Sequence, residues 1–419
     1  MAATVAAERG RRVLLLEKNR KPGAKILMSG GTRCNITQAV DVRGIVAAFG
    51  RKGKFLHSAL AALSPDDLVA MIESEGVPTK IESTGKIFPA SNRSVDVLQA
   101  FLAKLQRSGA ELRANTGVTQ FDASQERQGD VSLPRFAVRT DQQNYAASSV
   151  ILTTGGQSYP GCGTTGDGYA WAKRLGHCIV PPRPALVPLT TSAAWISSLQ
   201  GMTVSDVEIS LLEQQSAEPT AAQISAPCES HTLEKLLDRR RGSLLFAHFG
   251  LSGPVVLDIS SQYTGHPRRD ALVLRCDFLP EVAAAQLDQQ LRSLAAQAGS
   301  QTIISSLAEK LPKRLVATLF NQAKVPMDRR AAELRSTERT ALVNAIKGTV
   351  TALAGTLGFK KAEVTAGGVD LAEVDSRTLE SKLCPGLFLA GEILDLDGPI
   401  GGYNFQAAFS TGFLAGRSV

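Results

Sequence analysis

The spacing of hydrophobic positions changes several times along this 419-residue chain, and each change predicts a different element. Residues 3–9, AATVAAE, are strong helix formers, and Gly10 stands where a C-cap glycine belongs. Arg12 to Leu16 is a short apolar run closed by the acid Glu17, the pattern of a buried parallel strand. The stretch PGAKILMSGGTRCNIT that follows is rich in glycine and small polar residues and is expected to be a loop. Helical and strand patterns then alternate as far as Val150-Ile151-Leu152, a further strand ending in Thr153-Thr154-Gly155-Gly156.

From about Pro181 to Phe278 the texture becomes β-branched alternation with Ser/Thr turns and several prolines, which predicts a β-rich region. Residues 280–355 switch to Ala/Leu/Gln/Arg-rich amphipathic segments such as VAAAQLDQQLRSLAAQ, which predict helices. The α/β texture returns with the strand Gly386 to Ala390, a glycine-rich loop, and a small-residue helix from Asn404 to Arg417. The first and last segments therefore read as one α/β domain, residues 1–185 plus 360–419. It is interrupted by a β-rich insertion at 186–279 and a helical insertion at 280–359.

Composition narrows the class only a little. Hydrophobic residues make up 43% and charged residues 20%, as in a soluble enzyme. No apolar run approaches the roughly 18 residues that span a bilayer, no secretory signal precedes Glu17, and six scattered cysteines suggest reduced thiols. A cytoplasmic protein is expected, with no membrane partner. The net charge of +7 and pI near 9.1 favour anionic ligands, nucleotides and RNA among them, without establishing a nucleic-acid binder.

The chemistry-bearing residues point to a dinucleotide. In a βαβ nucleotide-binding unit the second strand ends in an acid that accepts from the ribose hydroxyls, and Glu17 stands there. A GxGxxG loop belongs just before the first helix, but the chain opens inside that helix. The expectation is that a strand and loop of roughly a dozen residues lie upstream of Met1. In Lys25 to Asn35, the paired Gly30-Gly31 permit close backbone approach to an anion, with Lys25 and Arg33 supplying positive charge. Cys34 has no second cysteine nearby and reads as a packing residue rather than half of a dithiol relay. Gly155-Gly156 matches the T-G-G turn of FAD enzymes. In Gly391-Glu392-Ile393-Leu394-Asp395-Leu396-Asp397, then Gly401-Gly402-Tyr403-Asn404, an acid-bearing loop runs into a glycine-opened helix. Such a helix start points its dipole at a bound flavin. His248 reads as a structural histidine, dispersed histidines exclude a metal site, and no further GxGxxG is read as a separate nicotinamide site.

Together, EKNRKPGAKILMSGGTRCNIT, TTGGQSYPG, LLFAHFGLSGPVVLDIS, KAEVTAGGVD and LFLAGEILDLDGPIGGYNFQAAFSTG resemble the bacterial YhiN-like flavoproteins of the BaiN/RdsA type, along nearly the whole chain. The resemblance implies a Rossmann-type FAD-binding domain with the two insertions. It implies FAD on Glu17, on Lys25, Ser29, Gly30, Gly31, Arg33, Cys34 and Asn35, on Gly155 and Gly156, and on Gly391, Glu392, Asp397, Gly401, Gly402, Tyr403 and Asn404. It further implies reduction of a conjugated C=C bond by hydride from flavin N5, with NAD(P)H as donor and a ribosomal RNA uracil as one substrate. The alternatives are a small-molecule oxidase or ene-reductase, or a non-catalytic RNA-binding remnant. Two departures stand out: the missing GxGxxG loop, and Gly30-Gly31-Thr32 where the family usually has three glycines.

Overall fold

A computed structural model of the chain describes residues 1–128, 131–215, 233–297 and 302–419. The chain divides into two compact units, Met1–Pro184 with Phe359–Val419, and Ala185–Gly358.

In the first unit, two parallel strand pairs carry the site. Leu14–Leu16 pairs with Glu111–Arg113, and Val150–Leu152 pairs with Leu387–Leu389. Two antiparallel three-stranded sheets flank them, one from Thr37–Gln38, Lys86–Pro89 and Thr79–Ile81, the other from Val118–Gln128, Val131–Thr140 and Asn144–Ala147. The opening helix Ala2–Glu8 lies against the closing helix Tyr403–Ser418. Gly416 makes this crossing possible, because a Cβ there would sit 2.4 Å from the Ala2 carbonyl oxygen. Phe121, Phe136, Leu152, Leu387, Leu389 and Leu414 are among the buried residues of one shared apolar cluster. Each such side chain contributes about 1.5–3 kcal/mol on burial.

The segment expected to be a loop is helical in part. Ala24–Thr32 forms a helix that starts from Gly23 at φ 79° and breaks at Ser29, Gly30 and Gly31. Ala24-Lys25-Ile26-Leu27-Met28 is a run of good helix formers, and its propensity wins until the paired glycines stop it.

In the second unit a seven-stranded sheet of antiparallel neighbours takes the order Thr349–Ala352, Leu272–Asp277, Thr203–Gln215, Leu233–Ala247, Gly250–Ser252, Leu189–Thr190, Gly355–Thr356. Val207, Ile209 and Leu211, alternate residues of one strand, are buried, and Ser210 and Leu212 of the same strand are buried with them. The residues expected to form separate β-rich and helical insertions share a single hydrophobic cluster. Ile209, Leu274 and Cys276 from the strands join Leu287, Leu315, Leu342 and Ile346 from the helices. An amphipathic helix and a one-sided sheet each need a partner, and here each covers the other.

Among the described residues no single helix is long and apolar enough to cross a membrane. One bent pair, Gly50–Ala62 with Pro65–Ser74, passes by length and composition, but its Leu56, Leu60, Leu68 and Ile72 are buried inside the first unit. Of the six cysteines, Cys228 lies outside the described residues and the other five are free. No group of described His, Cys, Asp or Glu residues is arranged to hold a metal.

Candidate functional site

Four segments remote in sequence meet at Glu392. Lys25 donates to Glu392 Oε2 (2.5 Å) and to Ser158 Oγ (2.9 Å), and Ser158 donates to Glu392 Oε1 (2.8 Å). The Thr365 amide donates to Glu392 Oε1 (2.8 Å), while the Thr365 hydroxyl accepts from the amides of Gln157 and Ser158. Gly156 is obligatory here, since a Cβ would stand 2.4 Å from Thr365 Oγ1 and 3.1 Å from Glu392 Oε1. Lys25 and Glu392, both expected to face a ligand, thus hold each other and pin the turn of Gly155 (φ 72°) and Gly156 to the Gly391 turn (φ 78°).

A second cluster lies further along the same loop. Lys52 donates to Asp395 (2.7 Å) and Asp397 (3.1 Å), whose side chains are 12% and 13% exposed. That ammonium contacts both carboxylates and offsets their mutual repulsion. Tyr169 packs beside this loop, and burial, followed by the Glu392 and Asp395 charges, pushes its phenol up, so it stays a neutral donor.

The loop then turns into the closing helix. Gly401 and Gly402 take φ 128° and 94°, and Gly402 presses on strand Thr37–Gln38 so closely that a Cβ would sit 2.6 Å from Thr37 Cα. Asn404 braces the turn, accepting from the Gly398 amide (2.8 Å) and donating to the Gly398 carbonyl (2.9 Å). The N-cap residue of this 16-residue helix is Gly402, which has no side chain to cap it, and the positive end of the helix dipole lies at this turn.

The strand opposite presents polar atoms that no protein group meets. Asn35 Oδ1 and Gln38 Oε1 are buried without a partner, and Gln38 Oε1 lies 3.2 Å from where a Gly401 Cβ would stand; Thr154 Oγ1, also unpartnered, lies beside Gly168 after strand Val150–Leu152. Buried orphans cost about 1–3 kcal/mol each, so a site that keeps them fits a ligand bearing complementary groups. Gly30 (φ 57°) and Gly31 (φ 66°) shape the same wall: a Cβ on Gly30 would crowd Phe88 and the Asn35 amide, whereas Gly31 borders open space. The set fits a flavin: a helix N-terminus at a glycine turn, unpartnered amide oxygens that can accept, and a glycine-lined wall.

The other expected residues play more local roles. Glu17 Oε1 accepts from the Asn19 amide (2.8 Å), and Asn19 reaches the Cys162 carbonyl (2.9 Å). Ser29 donates to the Ile26 carbonyl at the helix break. Arg33 pairs with Glu82 (2.6 Å), its guanidinium 4.0 Å above the Phe88 ring. Cys34 is buried with φ 62°, and burial pushes its thiol up to about 11. His248, in the second unit, stacks edge-on against Phe249.

Sequence reasoning missed Lys52, Gln38, Ser158 and Thr365 as site residues; only folding brings them to the motif-bearing loops. It also passed over the letters GxGxxG at Gly161, Gly163 and Gly166, ahead of helix Asp167–Arg174. Asp167 occupies the first position of that helix and holds Lys18 (2.6 Å), so a carboxylate already fills the place a phosphate would need.

Comparison with known proteins accords with this arrangement. The family described as HI0933-like protein Rossmann domain matches residues 1–418. The ribosomal RNA dihydrouridine synthase of Escherichia coli (strain K12) is 30% identical over 420 residues, 100% of this chain and 94% of that protein. The 3-dehydro-bile acid delta(4,6)-reductase of Clostridium scindens is 31% identical over 424 residues, covering 100% and 96%. The ribosomal RNA dihydrouridine synthase of Haemophilus influenzae is 29% identical, covering 100% and 94%. The chain belongs to the HI0933-like family of Rossmann-domain proteins.

Proposed function

We propose that this flavin-dependent oxidoreductase reduces a conjugated carbon–carbon double bond, and that its substrate is a uracil of ribosomal RNA, which becomes dihydrouridine. The observation that carries the reading is the uncapped helix start at Gly402 beside the unpartnered Gln38 oxygen. FAD would lie against Glu17, Ser29 to Asn35, Gly155-Gly156, Gly391, Asp397 and Gly401 to Asn404. When bound, it supplies hydride from N5 to an electron-poor alkene carbon. The helix start favours negative charge on whatever ring edge it faces. The Lys25–Glu392 pair keeps the two glycine turns in register, and Lys52 holds Asp397 in place. NAD(P)H is proposed as the electron donor.

The relatives' names support the reaction class. Saturating a uracil ring and saturating a delta(4,6) system beside a 3-oxo group are the same chemical step. Mass spectrometry of ribosomal RNA from a deletion strain tests the substrate. Loss of dihydrouridine, restored by the gene in trans, is expected; an unchanged content overturns it. The Clostridium scindens relative favours a second reading, reduction of a small-molecule enone. NAD(P)H oxidation stimulated by a steroid enone and not by ribosomal RNA would identify that activity.

A further inference from the structure

We propose that Arg43, Arg51 and Lys54 form the docking surface for the ribose–phosphate backbone of the substrate RNA; the inference rests on the ribosomal RNA reading above. Between Asp41 and Asp66 the chain carries Arg43, Arg51, Lys52 and Lys54 and no acid. Helix Val42–Ala48 runs directly into the 3-10 helix Gly50–Leu56, and the two pack together. Gly53 sets this packing, because a Cβ there would lie 1.9 Å from the Val46 carbonyl oxygen. Ile45, Phe49 and Leu56 anchor the pair in the core, which leaves the basic side chains outside.

Arg43, Arg51 and Lys54 are exposed, and none makes a side-chain hydrogen bond or ion pair among the described residues. In a 3-10 helix residues three apart eclipse, so Arg51 and Lys54 stand on one face, roughly 6 Å apart along the axis. Lys52, between them, turns the other way to Asp395 and Asp397. Phe49 grips the same loop, its ring 2.7 Å from where a Gly398 Cβ would be. The segment is therefore braced on the candidate flavin loop by Phe49 and Lys52, while its free cations face solvent beside it. Unpaired arginine and lysine on a rigid support suit phosphate, whose binding releases counterions. No large apolar side chain is exposed between residues 42 and 65, so the surface has nothing to insert into a bilayer.

The test compares FAD-loaded wild type with R43Q/R51Q/K54Q, using protein-free ribosomal RNA in filter binding across a KCl series. The expected result is an affinity reduced more than tenfold and a log–log salt slope shallower by about two to three. The flavin spectrum and thermal midpoint should stay unchanged. K360Q/K361Q, which removes two exposed lysines elsewhere in the same unit, should leave affinity and slope near wild type. If wild type binds and the triple variant matches it, the docking surface is overturned and the RNA reading stands. If wild type does not bind ribosomal RNA, both fall. Wild-type sedimentation with phosphatidylglycerol vesicles in preference to RNA also overturns the docking surface.

Discussion

Two basic regions, one in each unit, treat positive charge in opposite ways. In the second unit an open cleft of about 430 Å³ is lined by Arg239, Arg275 and Lys347. Each has an acid: Glu208 at 3.5 Å, Glu234 at 3.5 Å and Asp277 at 2.6 Å, respectively. Lys347 also donates to the Leu279 and Val282 carbonyls. In the first unit, the segment between Asp41 and Asp66 directs one lysine inward to two aspartates and leaves three cations unpaired. The net charge of +7 is thus a poor guide to anion binding. Pairing decides where positive potential is available, and it is available beside the glycine-built loops of the candidate site.

Removing partners from inward charges should cost stability, and removing outward charges should not. The largest expected effect is Glu392→Ala, which removes the carboxylate partner of Lys25, leaves Ser158 with the long contact to the Glu363 carbonyl, and takes the acceptor from the Thr365 amide. A loss of about 3 kcal/mol is expected from urea midpoints, and a change under 0.5 kcal/mol would show the network to be incidental. Burial of neutral groups comes next. The Cys34 thiol is pushed up to about 11 from 9.0, so above pH 9 the unfolded chain releases a proton that the folded chain keeps. Stability should fall between pH 9 and 11, and Cys34→Ala should flatten part of that fall; Cys276, pushed up to about 12, and the raised Cys384, Tyr159, Tyr169 and Tyr263 act in the same direction.

Lys52→Met tests the inward lysine of the basic segment. Asp395 and Asp397 then repel, and FAD affinity by fluorescence quenching should drop about tenfold, roughly 1.4 kcal/mol, with partial rescue by Lys52→Arg. The smallest effect belongs to Arg51→Gln, which should change the thermal stability by less than about 0.5 kcal/mol, because the side chain touches nothing. A larger loss there would mean that this cation is structural after all.

What the sequence made legible follows from the range of the interactions. The turn at Gly401-Gly402 and the helix after it are local: two glycines at positive φ followed by helix formers can be read from adjacent letters. Glu17 at a strand end is local in the same sense. The helix Ala24–Thr32 was misread because glycine content outweighed the helix propensity of five consecutive residues. Lys52 was invisible for a different reason. It lies 343 residues from Asp395, and no spacing rule connects them. Gln38 and Thr365 likewise acquire their roles only through packing, against Gly401 and Glu392. In the second unit, periodicity identified the apolar faces but not which face covers which, so strands and helices of one core were divided into two.

The central claim, that the first unit holds FAD against the start of the closing helix and the adjoining strand Thr37–Gln38, is tested most directly by a visible absorption spectrum. Purified protein would be incubated with FAD, passed through gel filtration and scanned beside Gly402→Val, whose side chain would strike the Thr37 backbone from φ 94°. The expected result is near-stoichiometric oxidised-flavin bands in the wild type, and none or little in a folded variant. Colourless wild-type protein, or equal flavin in both, would contradict the account.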